Sequence, residues 1–216
     1  MGLFRPDGII YSLMTKFSNM VLLSLCWLIC SLPVVTIGAS TTALYAVCLK
    51  MHDDDDAHVA RRFFGYFKSN FRHATFVWIP LIIVGGMLLW SSYLYFFGIP
   101  QMPGISGILL AVLVIASAIY LICITYVFAC VARYENTPLQ SIKNAVFIGL
   151  RYIGRTLIMA AITLAILFVV MWNYTTMLLG LIFVPAFLCY VNCSFIKRIF
   201  GELEERRNNI DAAPNN

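Results

Sequence analysis

The only segment of this sequence that brings metal-binding side chains close together is His52-Asp53-Asp54-Asp55-Asp56-Ala57-His58. Four carboxylates could bind a hard cation, but the segment lacks the glycine and the ligand spacing of a calcium loop. Acidic residues are also favoured beside the positive N-terminus of a helix, and a helical pattern begins directly after His58. We therefore interpret the segment as a solvated acidic loop, with a contact to a basic partner as the alternative. No metal or cofactor site is predicted.

The seven cysteines all lie in apolar stretches. A metal site would need thiolates, which are costly in lipid, and no histidine lies near these cysteines. We interpret them as small apolar residues, and their pattern implies no disulfide framework. Their positions are Cys26, Cys30, Cys48, Cys123, Cys130, Cys189 and Cys193.

The long apolar stretches contain no Asp, Glu, Lys, Arg or His. Ion-coupled transporters and pumps usually need such a residue within the membrane. No phosphate-binding loop, nucleophile–base pair or zinc signature is present either, so an enzyme is not predicted. The notable polar side chains are predicted to hydrogen-bond between helices, as such groups commonly do in membranes. They are Asn19, Thr125, Thr163 and Asn192.

The composition places these side chains in a membrane protein. The 216 residues are 61% hydrophobic and only 12% charged, whereas soluble domains carry about 25% charged residues. A spanning helix needs about 20 apolar residues, and residues 74–99 and 104–132 each supply one span. Residues 156–196 are too long for one span, so they must fold back, and Trp172 to Thr176 is the predicted turn.

The first apolar stretch, residues 17–49, can be read in two ways. It is either one long broken helix or a full span followed by a short re-entrant helix after Pro33. We predict an all-α polytopic membrane bundle with five clear spanning helices, or six if residues 38–49 form an element of their own. Residues 1–201 are predicted to form a single helical membrane domain, and residues 202–216 a polar cytoplasmic tail that is disordered at its end.

The basic residues predict the topology. Loops 50–73 and 133–155 and the C-terminal tail carry most of the Lys and Arg, whereas the other two loops carry none. The positive-inside rule places these loops and the C-terminus in the cytoplasm of a cell-membrane protein. Each loop also contains an amphipathic helix, predicted to lie at the membrane interface. The apolar face of the first helix is marked by Val59, Phe63 and Phe71. The apolar face of the second helix is marked by Leu139, Ile142, Val146, Gly149 and Ile153. Thr137 and Pro138 are predicted to start the second helix.

Two groups of residues are candidate sites. The first is a helix-packing seam, because small residues let helices approach closely in a bilayer. The second is a cytoplasmic contact for a partner or for anionic lipid, which attracts cations. The seam comprises Asn19, Pro33, Gly38, Ala39, Ser40, Thr41 and Thr42; the contact comprises Arg61, Arg62, Lys68, Asn70, Arg72, Lys143 and Arg151.

Two blocks of the sequence carry a family resemblance. The first is Asn19 followed by LCWLICSLPVVTIGASTTALY over residues 25–45, and the second is FFxxFKxNFRxAT over residues 63–75. They resemble the YesL family of bacterial membrane proteins, a domain of unknown function. In Gram-positive bacteria, the genes of this family lie beside genes for carbohydrate ABC importers. The resemblance therefore implies an accessory membrane protein of such an importer. The acidic segment after Lys50 is not part of that pattern, and the resemblance supplies no catalytic residues.

These observations lead to an expected function and an alternative. We expect a non-catalytic accessory protein that contacts the lipid bilayer and packs against sugar ABC permease subunits or against itself, with no cofactor and no nucleic-acid partner. The alternative is a small transporter or permease component that itself passes a solute. An ABC permease would carry a coupling-loop signature ending in glycine, and residues 134–155 lack one.

Overall fold

The computed structural model describes residues 9–52, 58–98, 105–134 and 137–211 of the chain. The described residues contain no β-strand and are almost entirely helical, so the predicted all-α class is confirmed. A 3₁₀ turn, Val34–Thr36, precedes α2, and a π-helical turn, Leu94–Gly98, ends α3. The α-helices are α1 (Ile9–Cys30), α2 (Ile37–Met51), α3 (Val59–Tyr93), α4 (Ile105–Arg133), α5 (Pro138–Arg151), α6 (Ile153–Met171) and α7 (Tyr174–Asp211).

Five helical stretches of the described chain are long and apolar enough to cross a membrane, and residues 14–30 of α1 form a shorter apolar helix. Large apolar side chains cover the outside of these helices, which is unfavourable in water and favourable in lipid. The protein is therefore a multi-pass membrane protein that contacts lipid. The five stretches are Val34–Met51, Val59–Phe97, Gly107–Arg133, Ile153–Met171 and Tyr174–Glu205.

The predicted fold-back of the last apolar stretch is confirmed, since α6 ends at Met171 and α7 begins at Tyr174. Thr176 fixes the turn by donating its hydroxyl hydrogen bond to the carbonyl of Asn173, at 2.7 Å, or to that of Val170, at 3.0 Å. Its oxygen also accepts from the amide of Asn173.

The first apolar stretch is two helices. α1 ends at Cys30, and α2 begins at Ile37 as a separate helix, close to the sixth element that was predicted over residues 38–49. α2 itself has 15 residues and is about 22 Å long, so it approaches the length of a span only together with the preceding 3₁₀ turn, as the stretch Val34–Met51. Pro33 ends the preceding segment because a proline disfavours helical backbone in the residue before it.

α2 is the centre of the bundle. It packs against α3, α4, α7 and α1, with its most extensive contact to α3. Nearly every residue from Gly38 to Met51 is buried, on all sides of the helix. A helix that is buried all round is a core element, because no face remains for solvent or lipid.

The two predicted amphipathic helices differ in structure. Residues 59–73 are the first turns of the 35-residue helix α3 rather than a separate interfacial helix. Their predicted face is correct, since Val59 and Phe63 are buried and Arg61 and Lys68 are exposed.

The second amphipathic segment, α5, is a separate helix, and Thr137 and Pro138 start it as predicted. The face of α5 that packs in the bundle coincides only partly with the predicted apolar face, of which Gly149 is buried. Its buried residues are Ser141, Ala145, Ile148 and Gly149, whereas Leu139 and Ile153 are exposed. Lipid can cover the large apolar side chains, so the small side chains take the closely packed face.

The bundle has two different ends. At the basic end, α2, α4 and α7 finish and α3 and α6 begin, near Lys50, Arg133 and Lys197. At the opposite, aromatic end, exposed Trp and Tyr side chains cluster, including Trp90 beside Tyr93. Trp and Tyr favour the membrane–water interface, so this end lies at one edge of the lipid region.

Candidate functional site

The predicted packing seam is buried at the contact between α2 and α3. A Cβ atom on Gly38 would lie 2.5 Å from Cβ of Trp78 and 3.1 Å from the carbonyl oxygen of Ala74. Ala39, Ser40 and Thr42 are fully buried beside it. These residues are therefore occupied by contacts within the chain, and they leave no surface for a partner.

Hydrogen bonds fix the turn that leads into this seam. The indole of Trp78 donates to the carbonyl of Val34 at 2.8 Å, and that of Trp27 donates to the Thr41 hydroxyl at 3.1 Å. The hydroxyls of Ser31 and Ser40 lie 2.6 Å apart. The two indole bonds join α3 to the turn and α1 to α2, and the Ser31–Ser40 contact joins the turn to α2, so the turn has a defined geometry.

The remaining seam residues have other positions. Pro33 lies in the exposed turn before α2. Asn19 lies on α1 and makes a polar interaction within the chain. Thr42 donates to the carbonyl of Gly38 four residues earlier, at 2.8 Å, so its hydroxyl is satisfied by its own helix. Thr125 likewise bonds the carbonyl of Leu121 in its own helix, instead of a neighbouring helix as predicted.

Sequence reasoning missed a second seam, where α5 packs on α4. Its small residues Ser141, Ala145 and Gly149 recur every four residues and share one buried face. A Cβ atom on Gly149 would collide with the side chain of Ile122 and approach Tyr126. The signal was present as a small-residue repeat at helical spacing, which is a known pattern of close helix contact in membranes.

A polar clip between α1 and α7 was also missed. The Ser24 hydroxyl donates to the carbonyl of Phe183 at 3.2 Å and accepts from the amide of Ala186 at 3.1 Å. Between these two residues of α7 lies Pro185, which has no N–H and interrupts the helical hydrogen bonds. Ser24 is fully buried, and its hydroxyl supplies hydrogen bonds to the backbone of α7 where Pro185 interrupts the helical pattern.

The predicted contact residues form an exposed cationic face at the basic end. Arg61, Lys68 and Arg72 follow one stripe of α3, because positions seven and eleven residues apart return to the same side of a helix. Among the described residues, these cations and the exposed Lys143 and Arg151 of α5 make no ion pair. Arg62 is half-buried and makes an interaction within the chain. We call Arg61, Lys68, Arg72, Lys143 and Arg151 the cationic face.

Two other cations are held by the C-terminal part of α7. Arg133 donates to both carboxylate oxygens of Glu204, at 2.8 and 3.1 Å, and Arg155 donates to Glu202 at 2.5 Å. These pairs tie α4 and α6 to the end of α7. The predicted polar tail therefore continues the last helix to Asp211, and residues 212–216 lie outside the described part of the chain.

A polar groove of about 480 Å³ lies beside the cationic face, between α3 and the end of α4. Asn70 lies in this groove, and its amide donates to the carbonyl of Tyr66 at 3.1 Å. His73 also lines the groove, and its Nε2 atom is buried without a hydrogen-bond partner. The wall of the groove therefore contains aromatic, amide and imidazole groups together with the guanidinium group of Arg133.

The acidic segment lies mostly outside the described residues, which omit 53–57. His52 stacks on the ring of Tyr190 with 4.1 Å between centroids, and its Nε2 atom lies 3.1 Å from the Ser194 hydroxyl. His52 is therefore part of the contact between α2 and α7. No group of three His, Cys, Asp or Glu side chains within the described residues could hold a metal ion, and the seven cysteines form no disulfide.

One comparison with known proteins matches this region. Residues 20–92 match the family described as Protein of unknown function, DUF624. The match spans about a third of the chain and covers α2, the seam residues from Pro33 to Thr42 and the α3 part of the cationic face. These residues are therefore similar to a domain of unknown function.

The DUF624 match names no activity, substrate or partner. It includes residues 25–45 and 63–75, the two blocks on which the resemblance to the YesL family depends. Neither the curated proteins nor the solved structures contain a match to this chain.

Proposed function

We propose that the protein is a non-catalytic accessory subunit of a bacterial carbohydrate ABC import system, in the cell membrane and with its basic end in the cytoplasm. In this proposal, the apolar exterior contacts lipid and the transmembrane helices of a permease. The cationic face contacts cytoplasmic loops of the partner or anionic headgroups. The resemblance to the YesL family supports the link to sugar import.

The observation that carries this proposal is that the cationic face has no ion-pair partner among the described residues. Chains of this composition carry few charges, and Arg133 and Arg155 are paired with glutamates within the protein. The five exposed cations, which lack such a partner in the described part of the chain, are available for a surface of opposite charge. Anionic lipid attracts each such cation by about 1 kcal/mol.

The location of the packing seam restricts where a partner helix can bind. Gly38 and its neighbours are buried in the contact between α2 and α3, so they are not accessible to a partner. A permease helix must therefore pack on the exposed apolar side chains of the outer helices, which include α1, α3, α4, α6 and α7.

The alternative, a small transporter, is favoured by the form of α2. A short buried helix that follows a break resembles the discontinuous helices of transporters, where substrates bind. The described spans contain no Asp, Glu, Lys, Arg or His between residues 74 and 97, 107 and 132, or 156 and 196. A coupling ion would therefore have to bind to neutral groups, which makes this function the weaker candidate.

Co-purification from the native membrane tests the proposal. The triple variant Arg61→Gln, Lys68→Gln, Arg72→Gln removes three cations and roughly 3 kcal/mol of attraction to an anionic surface. We expect importer subunits to co-purify with the parent protein and to be depleted by more than tenfold with this variant. The matched control, Arg61→Lys, Lys68→Arg, Arg72→Lys, changes the same positions, keeps the charge and should retain the partner.

Three results would contradict the proposal. If permease subunits co-purify neither with the parent protein nor with the charge-preserving control, a stable importer complex is excluded. If only a second copy of this protein co-purifies, the protein associates with itself. Sugar flux into liposomes that contain only the purified protein would favour the transporter.

A further inference from the structure

A cavity of about 400 Å³ lies between α2, α6 and α7, and Trp27 of α1 lies at its edge. This volume is within the range of small-molecule sites. The cavity walls are almost entirely apolar and contain no Asp, Glu, Lys, Arg or His. An occupant must therefore be mainly apolar and uncharged.

The shape of the cavity limits the size of its occupant. Its wall on α7 extends from Met177 to Asn192, a length of about 22 Å along the helix. A helix of this length with its side chains would occupy roughly 1,700 Å³, several times the volume of the cavity. A helix with its side chains is about 10 Å wide and cannot enter, whereas a single hydrocarbon chain can.

The two ends of the cavity differ in exposure. Met177 and Leu181 are 54% and 50% exposed, at the end that faces the lipid-covered surface. Asn192 is only 8% exposed, at the closed end. A chain in the membrane could therefore enter beside Met177 and reach Asn192 without leaving an apolar environment.

The closed end carries an unused hydrogen-bond acceptor. The Oδ1 atom of Asn192 is buried and has no partner among the described residues. The Asn192 side chain also interacts with the hydroxyl of Tyr45, which limits how it can reorient. A buried polar atom without a partner costs roughly 1–3 kcal/mol, so a donor brought to this position would be favoured.

We propose that the cavity binds an uncharged single-chain amphiphile, a long-chain alcohol, whose hydroxyl donates to Oδ1 of Asn192 and whose chain lies along α7. A phosphate or carboxylate headgroup does not fit, because it would place a negative charge against an uncharged wall and an acceptor against an acceptor. This site is independent of the cationic face and of the proposed role in sugar import.

Photo-crosslinking in phosphatidylcholine nanodiscs tests the site. The probe is hexadecan-1-ol with a diazirine on its chain, and the competitors are hexadecan-1-ol and its methyl ether, which has the same chain but no donor. We expect saturable adducts on peptides containing Leu167 and residues 177–188. The alcohol should compete about fivefold to tenfold better than the ether, which is the effect of one hydrogen bond.

Two variants and a control locate the binding. Val184→Trp fills the cavity and should abolish the saturable adducts, whereas Leu178→Trp, on the same helix but outside the cavity walls, should leave them unchanged. Asn192→Leu removes the acceptor and should equalise competition by the alcohol and the ether.

Equal competition by alcohol and ether in the parent protein would mean that any lipid chain fills the cavity, which would overturn the proposal. Adducts that persist in Val184→Trp would place the probe on the outer surface and would also overturn it. The competition ratio in the parent protein does not depend on either variant, so the proposal remains testable if Val184→Trp fails to fold.

Discussion

Gly38 determines how closely α2 approaches α3. The backbone of α2 lies so near Trp78 that even one methyl group would be 2.5 Å from its Cβ atom. The close approach also brings the indole N–H of Trp78 to the carbonyl of Val34. Packing and hydrogen bonding at this contact therefore depend on the absence of a side chain at one position.

The first prediction compares leucine at two glycines, one in α2 and one in α3. Gly38→Leu should lower the free energy of unfolding by roughly 1–3 kcal/mol or more, through overpacking. Gly65→Leu should be neutral or stabilising, because nothing lies within 4 Å of its Cβ position and leucine favours a helix. Thermal unfolding in mild detergent measures both. Equal midpoints for the two variants would exclude a close contact at Gly38.

Ser24 acts on the backbone of another helix. Its hydroxyl bridges the carbonyl of Phe183 and the amide of Ala186, on either side of Pro185. α1 thus supplies a bonding partner at the point where α7 cannot complete its own hydrogen bonds.

The second prediction is that Ser24→Ala destabilises the protein by about 1 kcal/mol, since a buried donor–acceptor pair loses its partner. Ser91→Ala is the control, because Ser91 is an exposed serine on α3. The measurement is the rate of amide exchange at residues 183–187. Unchanged exchange in Ser24→Ala would show that the clip does not hold this part of α7.

At the scale of elements, small residues decide which face of a helix is inside. On α5, Ser141, Ala145 and Gly149 pack on α4, and Phe147 faces outward. On α2, residues 38–43 supply the same kind of surface for α3. Large apolar side chains are stable in lipid, so apolarity does not select the buried face.

The third prediction concerns the contact between α5 and α4. Ala145→Leu should displace α5, since Ala145 is fully buried, at a cost of roughly 1–3 kcal/mol. Phe147→Leu should have little effect because Phe147 is exposed. Limited trypsin digestion after Lys143 and Arg151 should accelerate only in Ala145→Leu. Similar digestion of both variants would contradict the seam on α5.

At the scale of the whole molecule, the basic and aromatic ends give the bundle a direction. Arg133, Arg155 and the cationic face lie at the end where α4 finishes and α6 begins, and Trp172 and Tyr174 lie at the other. Basic residues are retained on the cytoplasmic side of a membrane.

The fourth prediction is the orientation that follows. In intact cells, an impermeant maleimide should label Thr175→Cys, at the exposed turn between α6 and α7, and should not label Glu205→Cys, near the end of α7. The parent protein provides the background, because its cysteines are buried or half-buried. Labelling of Glu205→Cys alone would reverse the proposed orientation.

The sequence by itself determined the helical class, the spans and several boundaries. Runs of apolar residues longer than about 20 require the chain to cross or fold back in a bilayer, and the turn after Met171 follows from the excess length of residues 156–196. The start of α5 at Pro138 follows from local backbone chemistry. These features depend on length and on neighbouring residues, so they can be read without knowing the packing.

Only the tertiary structure decided which apolar surfaces are internal. It placed α2 at the centre, continued residues 59–73 into α3, turned the small face of α5 inward and left the Oδ1 atom of Asn192 unpaired in a cavity. In water, hydrophobic periodicity separates inside from outside, but in lipid both sides of a helix are apolar. The arrangement then depends on shape and on pairwise hydrogen bonds between residues distant in the chain, such as Ser24 and Phe183, which no local pattern encodes.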